Sequence, residues 1–213
     1  VHIKRVPILD LFAAQGTCAV DTTLTGARTA HEARVCERVC SHTHPHIAAY
    51  LGVQVSDVLD LECLGGKSSV QVPLCRPSVT GLVFEKHDGT LHERVIRGRK
   101  IDVRVCLQGV CKGIQYLHSL SIVHGEINPH NVFVKRGDRD AFVIGGFGSA
   151  HATGSVVEFS AGDGRWIRRK RVGVDTAMEE DDWAALRRLT EWLVGETGGK
   201  MEDYKGIGKP RGS

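Results

Sequence analysis

Residues 120–150 decide the fold. They hold Ile122-Val123-His124-Gly125-Glu126-Ile127-Asn128-Pro129-His130-Asn131-Val132-Phe133-Val134, and then Phe142-Val143-Ile144-Gly145-Gly146-Phe147-Gly148. An apolar run ends at His124. A carboxylate follows at Glu126 and a carboxamide at Asn131. Residues 132–134 are β-branched and aromatic, as a short strand requires, and Gly137-Asp138 supplies a turn into a second strand over 141–144. Gly145-Gly146-Phe147-Gly148 closes the unit. Polar side chains at the mouths of two short strands predict a site built on a hairpin.

The stretch just upstream reads as the clearest helix. Val103, Leu107, Val110, Cys111, Ile114 and Leu117 recur at intervals of three and four, which lines one face of an α-helix over about 100–118. Downstream, Glu179, Glu180, Asp181 and Asp182 precede Trp183, Leu186, Leu189 and Leu193. Acids leading an apolar stripe predict a helix over 182–194, because carboxylates favour the positive end of the helix dipole.

Together these stretches resemble the catalytic and metal-binding loops of eukaryotic-type protein kinases. That family carries His-Arg-Asp, four residues, Asn, and later Asp-Phe-Gly. Here His124-Gly125-Glu126, Asn131 and Gly146-Phe147-Gly148 stand at the corresponding spacing. The resemblance implies a two-lobed α+β fold: a reduced sheet lobe over 1–85 with one regulatory helix, and a truncated helical lobe over 86–213. It makes His124, Gly146, Phe147, Gly148 and Asp182 structural motif positions, with Asp182 bonding the backbone of the catalytic loop. A helix over 30–41 carries Ala30, Ala33, Cys36, Val39 and Cys40 on one face, and Glu32 matches the ion-pairing Glu of the regulatory helix. Phe84, Glu85, Lys86 and His87 match the hinge that meets a purine edge. Asn128 sits where many kinases carry Lys.

The chemistry departs from the family. Glu126 replaces the catalytic Asp, and Gly146 replaces the metal-binding Asp and offers no ligand. No lysine lies between Lys4 and Lys67, no glycine-rich loop is visible, and Asp21-Thr22 follows Ala19-Val20 where the phosphate-binding Lys is expected. Glu32 is therefore expected to lack its lysine partner. Phosphoryl transfer depends on positioning and charge neutralisation, so the leading expectation is a pseudokinase acting as an interaction scaffold or regulator. No cofactor is required, ATP binding stays open, and magnesium is held weakly or not at all. The alternative is a weak or unconventional kinase using Glu126 as base. A third expectation, from another class, is nucleic-acid association through Arg165, Arg168, Arg169, Lys170 and Arg171.

Composition sets the outer bounds. The chain of 213 residues is 41% hydrophobic and 25% charged, with a net charge of +3. That is ordinary globular composition, without an overall nucleic-acid or membrane signal. No run of eighteen apolar residues marks a membrane span, and Val1-His2-Ile3-Lys4-Arg5 is not followed by a leader-type pattern. The expected setting is intracellular, cytoplasmic or nuclear, with a protein partner or a second copy bound to the larger lobe. Seven cysteines with no Cys-x-x-Cys suit reduced, partly buried thiols. His42, His44 and His46 beside Cys40 suggest metal, but further ligands of a tetrahedral site are not identifiable; the expectation is no metal. Gly65-Gly66-Lys67-Ser68-Ser69 reads as a hairpin turn. Further strands are expected over 17–20, 48–53, 58–63 and 81–85. The chain beyond Gly195 reads as an unstructured Gly/Lys tail.

Overall fold

The computed structural model describes residues 1–5, 22–59, 75–138, 140–159, 166 and 175–208. Asp21, the 17–20 strand, the Gly65–Ser69 turn and the basic residues Arg165, Arg168, Arg169, Lys170 and Arg171 lie outside these. The described chain is mixed α+β. It opens with β1 (His2–Arg5), α1 (Thr22–Val39), β2 (Tyr50–Leu59) and β3 (Cys75–Phe84). These strands form one antiparallel sheet in the order β1-β3-β2. There follow α2 (Leu91–Ile96), α3 (Val103–Ser119), β4 (Ile122–Val123), β5 (Val132–Val134), β6 (Phe142–Ile144), a 3₁₀ turn (Phe147–Ser149), β7 (His151–Ala152), α4 (Glu179–Thr197) and a second 3₁₀ turn (Met201–Tyr204).

The core is built around α3. Cys106, Leu107, Val110, Ile114 and Leu117 are all buried, and they belong to one apolar cluster with Leu186, Leu189 and Leu193 of α4 and Val132, Phe142 and Ile144 of the hairpin. Each such side chain contributes about 1.5–3 kcal/mol by leaving water. Two glycines of α3 let the hairpin and the loop before β2 come close: a Cβ at Gly113 would lie 2.7 Å from Ile144 Cδ1, and one at Gly109 would lie 2.9 Å from His46 Nδ1. Asp102 caps α3 by accepting a hydrogen bond from Val105 N, which satisfies one of the donors a helix start leaves open.

β5 and β6 pair antiparallel, Val132 with Ile144 and Val134 with Phe142. The other edge of β6 is also used. Ile144 N donates to His46 O at 2.9 Å, and Ala48 N donates to Ile144 O at 2.8 Å. The loop before β2 is thereby stitched to the hairpin. A second tie runs through residues 85–90, where Asp88 N donates to Val134 O and Val134 N to Gly89 O.

Several boundaries differ from the sequence expectation. α1 begins at Thr22 rather than near residue 30, because apolar spacing marks only a buried face and Gly26, Ala27 and Ala30 are exposed. The strand expected over 48–53 and the described start of the one expected over 58–63 belong to one strand, β2; residues 60–63 lie outside the described residues. β2 lies at the sheet edge, and its register shifts near Leu51 and after Gln54 absorb the irregular pattern. The 81–85 strand begins earlier, at Cys75. Residues 196–208 are not a loose tail. Gly198 takes a left-handed conformation (φ 72°) and caps α4 through Gly198 N to Val194 O, as a helix C-terminus favours. Tyr204 and Ile207 then pack back against the core. Among the described residues, no helix is long and apolar enough to cross a membrane.

Candidate functional site

Asp182 organises the loop before β5. It is fully buried at the start of α4. Its Oδ2 accepts from His124 N at 2.8 Å and its Oδ1 from Gly125 N at 2.9 Å, and His118 Nε2 reaches Oδ2 at 2.9 Å. Three donors on one carboxylate compensate the charge that burial would otherwise penalise. Gly125 has φ 72°, and a Cβ there would lie 2.7 Å from Ser149 O. Both facts call for glycine.

His124 is also fully buried. Its Nε2 lies 3.1 Å from Gly145 O, and its Nδ1 accepts from Glu126 N at 3.2 Å. The two partners place the ring proton on Nε2, since a carbonyl accepts and an amide donates. The ring packs on Phe147, whose centroid is 5.4 Å away. His124 and Phe147 thus join the 124–126 loop to the Gly146-Phe147-Gly148 segment.

Glu126 and Asn131 face each other within this frame. Asn131 Nδ2 donates to Glu126 O at 2.9 Å, and Ser149 Oγ donates to Glu126 Oε2 at 2.8 Å. Asn128 Oδ1 accepts from His130 N and Asn131 N, which shapes the turn leading into β5. Gly146 adopts a left-handed conformation with φ 77°. A Cβ at this position would lie only 2.5 Å from Asn131 Oδ1. The amide side chain fills the space beside Gly146.

Glu32 is not solvated, and it does not lack a lysine. It is 4% exposed, and Lys4 Nζ lies 2.8 Å from its Oε1 and 2.7 Å from its Oε2. The expectation failed because the lysine was sought after Ala19-Val20. Lys4 stands on β1, and Val1-His2-Ile3-Lys4 fits the Val-Ala-Ile-Lys strand of the kinase pattern. Three matching residues of four, Val1, Ile3 and Lys4, were the available signal. Glu32 Oε2 also lies 3.4 Å from where a Cβ of Gly148 would stand, so the ion pair borders the Gly146–Gly148 segment.

Phe84 is buried at the end of β3, with its ring 5.5 Å from that of Tyr50. Glu85 N donates to Ala49 O, while the Glu85 and Lys86 side chains are exposed. His87 packs on Phe133 at 5.5 Å. Burial lowers its pKa below the usual histidine value.

Histidines 42, 44 and 46 are engaged in packing and hydrogen bonding. His44 stacks on Tyr116 at 4.5 Å, and His46 Nδ1 contacts Phe142 O. Among the described residues no group of three or more His, Cys, Asp or Glu side chains is arranged to hold a metal. The site therefore offers a carboxylate at Glu126, a neutral amide at Asn131 and a paired ammonium at Lys4. No protein-family model matches the chain, and no curated protein matches it in sequence.

Proposed function

We propose that the chain is a kinase-like domain with two lobes, residues 1–85 and 86–213, that has lost efficient phosphoryl transfer and serves as an interaction scaffold or regulator. One observation carries this proposal: at Gly146 the side chain of Asn131 stands where a metal-binding carboxylate would begin. Magnesium is normally held by one or two carboxylates together with substrate phosphates. At this place the chain offers a neutral amide. The fold half of the proposal is supported by the Lys4–Glu32 pair, the clamp of Asp182 on the 124–125 backbone, and the packing of His124 on Phe147.

Two of the departures seen in the sequence lose their force. Lys4 fills the role that Asp21 stood against. A glycine-rich loop precedes this lysine strand in kinases, so the stretch after Lys4 says nothing about it. Glu126 remains a departure. Its extra methylene shifts a carboxylate by about an ångström, and a displacement of that size costs on the order of a hundredfold in rate.

The formed Lys4–Glu32 pair and the half-buried carboxylate of Glu126 favour a second reading, a slow kinase using Glu126 as base. Melting curves with ATP alone and with ATP plus magnesium, run beside a labelled-phosphate transfer assay, separate the two. The pseudokinase reading expects no additional stabilisation from magnesium and no transfer. Magnesium-dependent transfer that disappears in Glu126→Ala would overturn it.

A further inference from the structure

A cavity of about 1190 Å³ opens between the end of α2, the 97–102 connection, the first turn of α3 and the 197–204 segment. None of the residues assigned to the candidate site lines it. Arg94, Arg99, Lys100 and Arg104 do. Two of these cations are held in place. Arg94 Nε and Nη2 both donate to Lys100 O, at 3.0 and 2.6 Å. Arg104 Nη2 donates to Asp203 O, and its guanidinium lies 5.8 Å from the centre of the Tyr204 ring. Each guanidinium has five donors, so most remain unspent. Arg99 and Lys100 are exposed, and neither side chain has a partner among the described residues.

Three carboxylates share the lining: Asp102, Asp140 and Asp203. Asp102 is committed to capping Val105 N. The cations thus cluster on the α2–α3 wall, and the remaining acids come from the β5–β6 turn and the C-terminal 3₁₀ turn.

We propose that this cavity is a docking site for an acidic peptide segment of another protein, one that inserts a carboxylate or phosphoryl side chain between Arg94, Arg99, Lys100 and Arg104. Prepositioned guanidinium groups recognise such oxygens by paired hydrogen bonds and lose little freedom on binding. The concave shape suits a side chain. Asp140 and Asp203, which share the lining, oppose a continuous polyanion such as RNA or an anionic bilayer. The surface is independent of the cleft chemistry, and its success or failure leaves the pseudokinase reading untouched.

The test is fluorescence anisotropy with two labelled peptides of one sequence, one rich in Glu and one carrying phosphoserine in its place. Saturable binding to at least one is expected at low ionic strength, and it should weaken as salt is added. Arg99→Glu with Lys100→Glu should weaken binding by about tenfold or more while leaving the melting temperature unchanged, because both side chains are exposed. The relative affinity of the two peptides identifies whether carboxylate or phosphoryl groups are preferred. Equal binding by the double variant, no saturable binding of either peptide, or tighter binding of an oligouridine RNA or phosphatidylserine vesicles would overturn the proposal.

Discussion

Asp182 shows how much one buried carboxylate can hold. Replacing it with alanine strands two backbone N–H groups and the His118 ring in the interior. Asp182→Ala is expected to cost about 3–5 kcal/mol, read as a lowered denaturation midpoint. Lys4 supports Glu32 from a more exposed position: its side chain is 52% exposed against 5% for Glu32. Solvent reaches the ammonium but Glu32 is left without its cation, so Lys4→Met should cost about 1–3 kcal/mol, again by denaturation. A loss of several times that size would mean that the pair is more enclosed than its exposure indicates. The two residues also differ in how visible they were. Asp182 announced itself through the acids that lead to it and the apolar stripe that follows it. Lys4 stands twenty-eight positions before Glu32, and only three matching residues of a four-residue strand pattern pointed to it. Local spacing reveals local partners, while an ion pair between a strand and a helix depends on how the intervening chain returns.

The 3₁₀ turn at Phe147–Ser149 depends on one aromatic side chain. Phe147 is fully buried against His124, and the adjoining glycines contribute no side-chain packing. Phe147→Ala is expected to cost about 3–5 kcal/mol, and a differential scan of the variant should show a sharply lower melting temperature. An unchanged melting temperature would remove Phe147 from the core. At this scale the hairpin and α3 were legible, because their periodicities are strong and their turn residues typical. β2 was read as two strands, because its register shifts interrupt the alternating pattern. The glycines after residue 195 resembled a linker. In the fold they cap α4 and turn the chain so that Tyr204 and Ile207 reach the core. Glycine content alone does not distinguish a cap from a tail.

At the scale of the whole molecule, three histidines give stability a dependence on pH. Burial lowers the pKa of His151, His44 and His87 below the usual value. For His151, nearby His31 lowers it further, while Ser149 and Glu158 pull the other way. The unfolded chain therefore binds more protons than the native one below about pH 6.5. The stability these neutral rings contribute is complete above that value and is lost as pH falls through their lowered native values. Urea midpoints should fall between about pH 7 and pH 5, and less so in His151→Gln. A flat profile would show that the rings titrate alike in both states. The stitch at Ile144 acts over the same range of scale. Residues 85–90 look like a connection about which the sheet-bearing half could swing, but Ile144 also holds His46 and Ala48 through two backbone hydrogen bonds. With two separate attachments, a swing about one must rupture the other, so movement of the sheet-bearing part is coupled to loss of the core strand. The Ala48 and Ile144 amides should accordingly exchange with deuterium only through near-global unfolding, among the slowest in the chain. Fast exchange at both positions would reveal a looser joint.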